Sequence, residues 1–262
     1  AAVAALLVRG FEAQAFVIPT GSMAPTLMGR HKEVNCPQCG FTFAVNASEE
    51  VEGFGPLRSV YSGVCVNCRN QSTRLDAEPS YKGDRILVSM FPYDLPFLPG
   101  ASDPERFDVV VFRYPEEPEV SYIKRLVGLP GEELRIWFGD LYIKSPGGKE
   151  FRLERKPLEH QQSMAMMVYD DAHRPKALEG KSEWLRWGSR TPVAWDEKAK
   201  GEFTVDAPLG QEAELRYRHL VPDREQWDAI NGDARLPRAP RPTLITDFYS
   251  YNTSQTSEAR GA

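Results

Sequence analysis

The sequence predicts a mainly β fold, on three observations. Apolar, β-branched runs recur from residue 85 onward, Gly and Pro punctuate them, and one pair of runs is separated by a two-residue turn signal. The runs are Arg85 to Met90, Val109 to Phe112, Tyr122 to Val127, Glu133 to Phe138 and Leu141 to Lys144. Each is short and bounded by turn formers, as strands are. Gly139-Asp140 lies between the last two and predicts a β-hairpin.

Length and charge frame this reading. With 262 residues the chain can bury one large core or two modest ones. Hydrophobic residues at 41% and charged residues at 26% are ordinary for a globular protein, which excludes disorder throughout. A formal net charge of −5 excludes broad electrostatic capture of nucleic acid, so no nucleic-acid partner is expected. The chain opens on an apolar run, Ala1 to Val8, stopped by Arg9. Spanning a bilayer takes about 20 apolar residues, so this run is either the end of a membrane helix continued by Phe11, Ala13, Ala15 and Phe16, or an amphipathic helix packed on its own domain.

Organisation follows composition. Residues 1-35 and 77-150 form the predicted β core with an N-terminal, membrane-proximal segment; 36-76 is an inserted module, and 151-262 a second β-rich subdomain of unknown role. The last region holds Trp184, Trp187, Trp195 and Trp227 among many Pro and charged residues.

The inserted module carries all four cysteines, as Cys36-Pro37-Gln38-Cys39-Gly40 and Cys65-Val66-Asn67-Cys68. Two CxxC turns, each presenting thiolates where backbone N–H groups point at sulfur, suit the two edges of a tetrahedral Zn²⁺ site. Structural zinc is therefore the expected cofactor, and it would fold a segment whose own core is small. Disulfides are the competing reading.

The segment from Phe16 to Leu27 holds Ser22 between Gly21 and Met23, bracketed by Pro19 and Pro25. The prolines stiffen the chain, and Gly21 allows close backbone approach to a ligand. A serine in such a turn is ordinarily structural. What singles this one out is its combination with Gly83-Asp84-Arg85-Ile86-Leu87-Val88 and with Arg106-Phe107-Asp108-Val109-Val110-Val111-Phe112, running on to Tyr122-Ile123-Lys124-Arg125-Leu126-Val127-Gly128-Leu129-Pro130-Gly131-Glu132.

In this order and at these intervals the three stretches resemble the boxes of the bacterial type I signal peptidase family, over about half the chain. The resemblance implies a serine endopeptidase on an antiparallel β core, held at the exported face of the cytoplasmic membrane, which cleaves signal peptides from preproteins with small residues one and three positions before the cut. It implies Ser22 as nucleophile, Lys124 as general base, and the Thr20 hydroxyl, with the Ser22 N–H, as oxyanion donors. No cofactor is implied for catalysis. The partners implied are signal-peptide-bearing preproteins and membrane lipid. Two departures stand out. The family's downstream Gly-Asp-Asn run followed by a serine has no match before Ala262, so the chain is either a fragment or has replaced it, for instance with Tyr249-Ser250-Tyr251-Asn252; and most of the family lacks a zinc ribbon.

The Ser/Lys pair makes chemical sense on its own. A lysine at its reference pKa of about 10.4 is protonated at pH 7 and cannot act as a base. Tyr122, Ile123, Leu126 and Val127 around Lys124 predict a buried strand, where desolvation disfavours the ammonium. Arg125 cannot be a base and is expected in a structural ion pair. His31, His160, His173 and His219 show no triad spacing. Two alternatives remain: another Ser/Lys peptidase such as a self-cleaving repressor, and an inactive peptidase-like scaffold serving as a zinc-ribbon binding module.

Overall fold

The computed structural model of the protein describes residues 13–50, 58–89, 103–232, 234–236, 238–246 and 248–258. The apolar opening Ala1 to Val8 and the final residue of the predicted strand Arg85 to Met90 lie outside them. Among the described residues no helix is long and apolar enough to cross a membrane. Strands dominate, and every pairing between them is antiparallel, in agreement with the predicted class. Two compact units emerge. The first takes the described residues of Ala1–Arg30 and Lys82–Ala165, the second those of His31–Tyr81 and Met166–Ala262.

In the first unit β1 (Ala13–Val17) pairs with β6 (Arg85–Ser89). Along β6 the side chains alternate: Ile86 and Val88 are half-buried while Leu87 is 77% exposed. β7 (Val109–Tyr114) and β8 (Glu117–Arg125) form a hairpin that sets Val110 opposite Lys124. Pro115 takes the position in its turn where a fixed φ is favourable. β8 starts five residues before the predicted run, because the pairing with β7 continues into the polar stretch before Tyr122. β9 (Glu133–Trp137), β10 (Asp140–Lys144) and β11 (Arg152–Glu154) form a three-stranded sheet with β10 in the middle. Trp137 pairs with Asp140, so the hairpin turn is Phe138-Gly139, one residue earlier than predicted. Both turn residues have positive φ, 48° and 84°, the geometry that matches strand twist in a two-residue hairpin. Helix α1 (Leu158–Ser163) follows β11.

In the second unit each CxxC sits at the tip of a hairpin. β2 (His31–Asn35) and β3 (Thr42–Asn46) flank Cys36 and Cys39; β4 (Arg58–Val64) and β5 (Gln71–Thr73) flank Cys65 and Cys68. Val34, Phe43, Val45, Val60, Leu75 and Trp227 close a core around the four sulfurs. β12 (Trp187–Ser189) pairs with β15 (Leu215–Tyr217), and β13 (Trp195–Ala199) with β14 (Glu202–Val205). Helix α2 (Arg224–Asn231) opens with a capping box between Asp223 and Gln226, and its Trp227 donates Nε1–H to the Cys68 carbonyl at 2.9 Å. β16 (Gln255–Glu258) adds to β4. The segment Tyr249-Ser250-Tyr251-Asn252 belongs to this unit, where Tyr251 and Ser250 are buried in a short 3₁₀ turn.

Candidate active site

Ser22 lies in a single 3₁₀ turn, Gly21–Met23. Met23 is buried and pins the turn, and Ser22 faces outward. Backbone bonds clamp the flanks: Ile18 N–H donates to the Asp84 carbonyl (2.9 Å), Asp84 N–H to the Met28 carbonyl (2.9 Å), and Arg30 N–H to the Pro19 carbonyl (3.1 Å). The Asp84 carboxylate accepts the Met28 N–H at 2.7 Å. The approach is so close that only glycine fits at two points. A Cβ on Gly83 would stand 2.0 Å from the Ile18 carbonyl oxygen, and one on Gly29 2.2 Å from the Thr20 carbonyl carbon. Gly83 and Asp84 therefore hold the serine loop, a role that sequence reading noted only as a box.

Lys124 reaches the same point from β8. Its Nζ donates to Ser22 Oγ at 2.9 Å and to its own neighbour's carbonyl, Ile123, at 3.0 Å. The side chain is exposed, not buried as its apolar neighbours predict. Among the described residues β8 pairs with β7 alone, which leaves its other edge without a strand partner there. Thr20 precedes the turn in extended backbone (φ −118°, ψ 157°), and its hydroxyl makes no capping bond to it.

Arg125 also differs from expectation. It bonds neutral oxygens, the Phe107 carbonyl at 2.7 Å and Thr26 Oγ1 at 3.0 Å, with His160 Nδ1 at 3.4 Å. Desolvation lowers its pKa, consistent with a guanidinium bonded without a carboxylate. Thr26 in turn donates to the Ser163 carbonyl (3.2 Å), which ties the serine segment to α1. Arg106 instead forms an ion pair with Glu132, at 2.7 Å. That bond and the Leu129 N–H hold the Glu132 carboxyl below its ordinary pKa and fix the turn after β8. A groove of ≈ 560 Å³ starts at Ser22 and runs past Met23, Phe107, Val127, Leu141 and Met164. Lys124 is not among the residues that line it.

The four cysteines converge. Their sulfurs lie within 4.8 Å of one another and all four residues are buried. Cys36 and Cys68 sulfurs are 3.5 Å apart, Cys39 and Cys65 3.7 Å. A tetrahedron of sulfurs 2.3 Å from a central ion has edges of about 3.8 Å, whereas a disulfide needs about 2.05 Å. The close contacts join the two knuckles, so neither CxxC is bonded within itself. Gly40 N–H donates to the Cys36 carbonyl (2.8 Å) and Arg69 N–H to that of Cys65 (2.9 Å), closing two equivalent turns. Both residues have positive φ, 68° and 65°. Hydrogen bonding among the four sulfurs lowers the Cys39 pKa and raises those of Cys65 and Cys68.

Comparison with known proteins now bears on this geometry. The family described as "Signal peptidase, peptidase S26" matches residues 65–190. A signal peptidase I of Pseudomonas aeruginosa is 54% identical over 59 residues, covering 20% of this chain and 21% of that one. One from Rickettsia canadensis is 32% identical over 139 residues, 53% of this chain and 38% of that one. Over these stretches the chain is similar to signal peptidases of the S26 family. The S26 match contains Lys124, Cys65 and Cys68 and begins after Thr20 and Ser22. The chain spans about a fifth of the Pseudomonas signal peptidase and 38% of the Rickettsia one. No solved structure matches it.

Proposed function

We propose that the chain carries the catalytic part of a signal peptidase I, a serine endopeptidase that removes signal peptides from exported preproteins. The observation that supports this reading most is the 2.9 Å hydrogen bond between Lys124 Nζ and Ser22 Oγ. In the reaction, the Lys124 amine takes the hydroxyl proton as Ser22 Oγ attacks the scissile carbonyl carbon. The resulting oxyanion accepts hydrogen bonds from the Ser22 N–H and the Thr20 hydroxyl. The Lys124 ammonium then passes its proton to the leaving amine, which departs as the new N-terminus. Water, deprotonated by Lys124, hydrolyses the acyl-enzyme and frees Ser22.

An exposed amine must lose water to act in this way. An extended substrate laid along the open edge of β8 would cover Lys124, which makes peptide binding the step that desolvates the base. The groove at Ser22 receives the residues before the cut. The catalytic unit works at the exported face of the cytoplasmic membrane. The peptidase core extends through β11 and α1 to Ala165, and the ribbon is inserted in it and shares a unit with the described residues of 166–262.

Zinc fits the four cysteines in spacing, burial and donor chemistry. Cys36, Cys39, Cys65 and Cys68 would hold it as thiolates. Its role is to hold the two hairpins together. The test of the whole reading is cleavage of a synthetic peptide spanning an Ala-X-Ala signal junction, read by mass spectrometry. A single cut after the second Ala is expected; absence of that cut, or cutting at unrelated bonds, refutes it.

A further inference from the structure

The β9–β10 hairpin of the first unit turns large apolar side chains to solvent. Every residue of β9 is exposed. At the tip Ile136 is 76%, Trp137 58% and Phe138 92% exposed, and the two rings meet edge to face with centroids 5.2 Å apart. Apolar residues scattered singly over a surface are ordinary, but three in succession at one turn form a patch. The backbone adds a second observation. Phe138 has φ 48°, in the left-handed region that a two-residue hairpin ordinarily fills with Asn, Asp or Gly and that a bulky side chain disfavours. A phenylalanine here neither fills a core nor eases the turn, so its ring is there to be presented.

Charge gathers at the same end of the sheet. Leu141 of β10 pairs with Glu154 of β11, and from there the chain runs on to Arg155 and Lys156 beside the turn, both exposed. Glu154 faces Arg106 at 3.8 Å, and Glu133 is paired with Lys144. The carboxylate left at the tip is Asp140, against the exposed cations Arg135, Arg155 and Lys156. Rings at a turn with cations beside them match an anionic bilayer surface, where aromatic side chains settle at the level of the head groups and Lys or Arg meets the lipid phosphates.

We propose that the β9–β10 tip dips into an anionic lipid surface, with Ile136, Trp137 and Phe138 entering the head-group region and Arg155 and Lys156 meeting lipid phosphates. The proposal rests on the reading of the chain as a peptidase that works at a membrane, and adds to it the element that touches lipid. Ile136, Gly139 and Asp140 also border the groove that starts at Ser22. A seated tip therefore brings that groove to the bilayer surface. An apolar peptide in solution answers to the rings and not to the cations. A second copy laid tip to tip sets Arg155 and Lys156 against their own counterparts, and like charges oppose it.

The test mixes the whole chain with vesicles of phosphatidylcholine alone and of phosphatidylcholine with phosphatidylglycerol, and separates bound protein by flotation. Wild type is expected on the anionic vesicles at least about tenfold more tightly than on the neutral ones. Trp137→Thr with Phe138→Gly, the glycine suiting the φ of 48°, keeps the fold and weakens binding about tenfold or more. Arg155→Gln with Lys156→Gln removes the preference for anionic vesicles. Brominated acyl chains quench the indole fluorescence of wild type, and quench that of Trp137→Thr less. Cleavage of a signal-junction peptide in solution is unchanged in the Trp137/Phe138 variant. Cleavage without vesicle binding would therefore sink the lipid-binding tip and leave the peptidase reading, and binding without cleavage would do the reverse. Equal binding by wild type and the Trp137/Phe138 variant, or equal binding to both lipids, would overturn the assignment. So would dimerisation of lipid-free wild type that the same variant abolishes, which would give the tip to a second copy.

Discussion

At the scale of the residue, the site is a hydroxyl and an amine on different elements, brought to 2.9 Å by backbone constraints around the serine. The sequence singles out Ser22 and Lys124 by the motifs in which they stand, since serine and lysine themselves are common. Their supports were not legible, since a glycine that must be a glycine looks like any other until its neighbours are known. Gly29 and Gly83 declare themselves only as Cβ positions that would collide with backbone. The exposure of Lys124 was missed for a related reason: apolar neighbours in sequence report a strand, and say nothing about whether its edge is covered. Thr20 is the position where the proposed mechanism is most sensitive to one atom. Thr20→Val keeps the shape and removes the hydroxyl, and is expected to lower kcat about 100-fold or more with little change in KM, while Thr20→Ser keeps most activity. Steady-state kinetics on a signal-junction peptide checks both.

At the scale of the element, hairpins carry the chemistry. β7–β8 delivers Lys124, and the β2–β3 and β4–β5 hairpins each deliver two cysteines from their tips. The sequence announced the cysteine turns through their spacing, yet not that Arg69 would take the left-handed place that Gly40 fills in the first knuckle. An Arg at φ 65° is conformationally costly, and its guanidinium is used: it bonds the Val66 carbonyl and lies 3.4 Å from the Phe248 ring centroid. The short strands of the second unit were illegible for want of period, as two or three paired residues leave no pattern to count. If the knuckles hold zinc, metal analysis finds about one per chain, and Cys36→Ser with Cys39→Ser abolishes it and unfolds the ribbon. A metal-free wild type with two disulfides would contradict this.

At the scale of the whole molecule, a β scaffold with two compact units carries the serine and lysine in one and the four cysteines in the other. The sequence placed the ribbon by its cysteines, but long-range pairings such as β16 on β4 join residues nearly two hundred apart and leave no local trace. Stability of the first unit has a legible pH dependence. Glu132 has its pKa lowered by Arg106, so its contribution is present above the unfolded carboxylate value of about 4.3 and is lost as pH falls through the lower folded value. Thermal melts should therefore show wild type losing its advantage over Glu132→Gln as pH drops below about 4; a constant difference down to pH 2 would contradict that assignment. The central claim is the Ser22–Lys124 dyad, and the most direct measurement is the single-turnover rate of preprotein cleavage by Lys124→Ala, with Ser22→Ala alongside and circular dichroism to establish the fold. Each variant should be slower than wild type by at least about a thousandfold with its fold intact; cleavage by either at the wild-type rate would contradict the account.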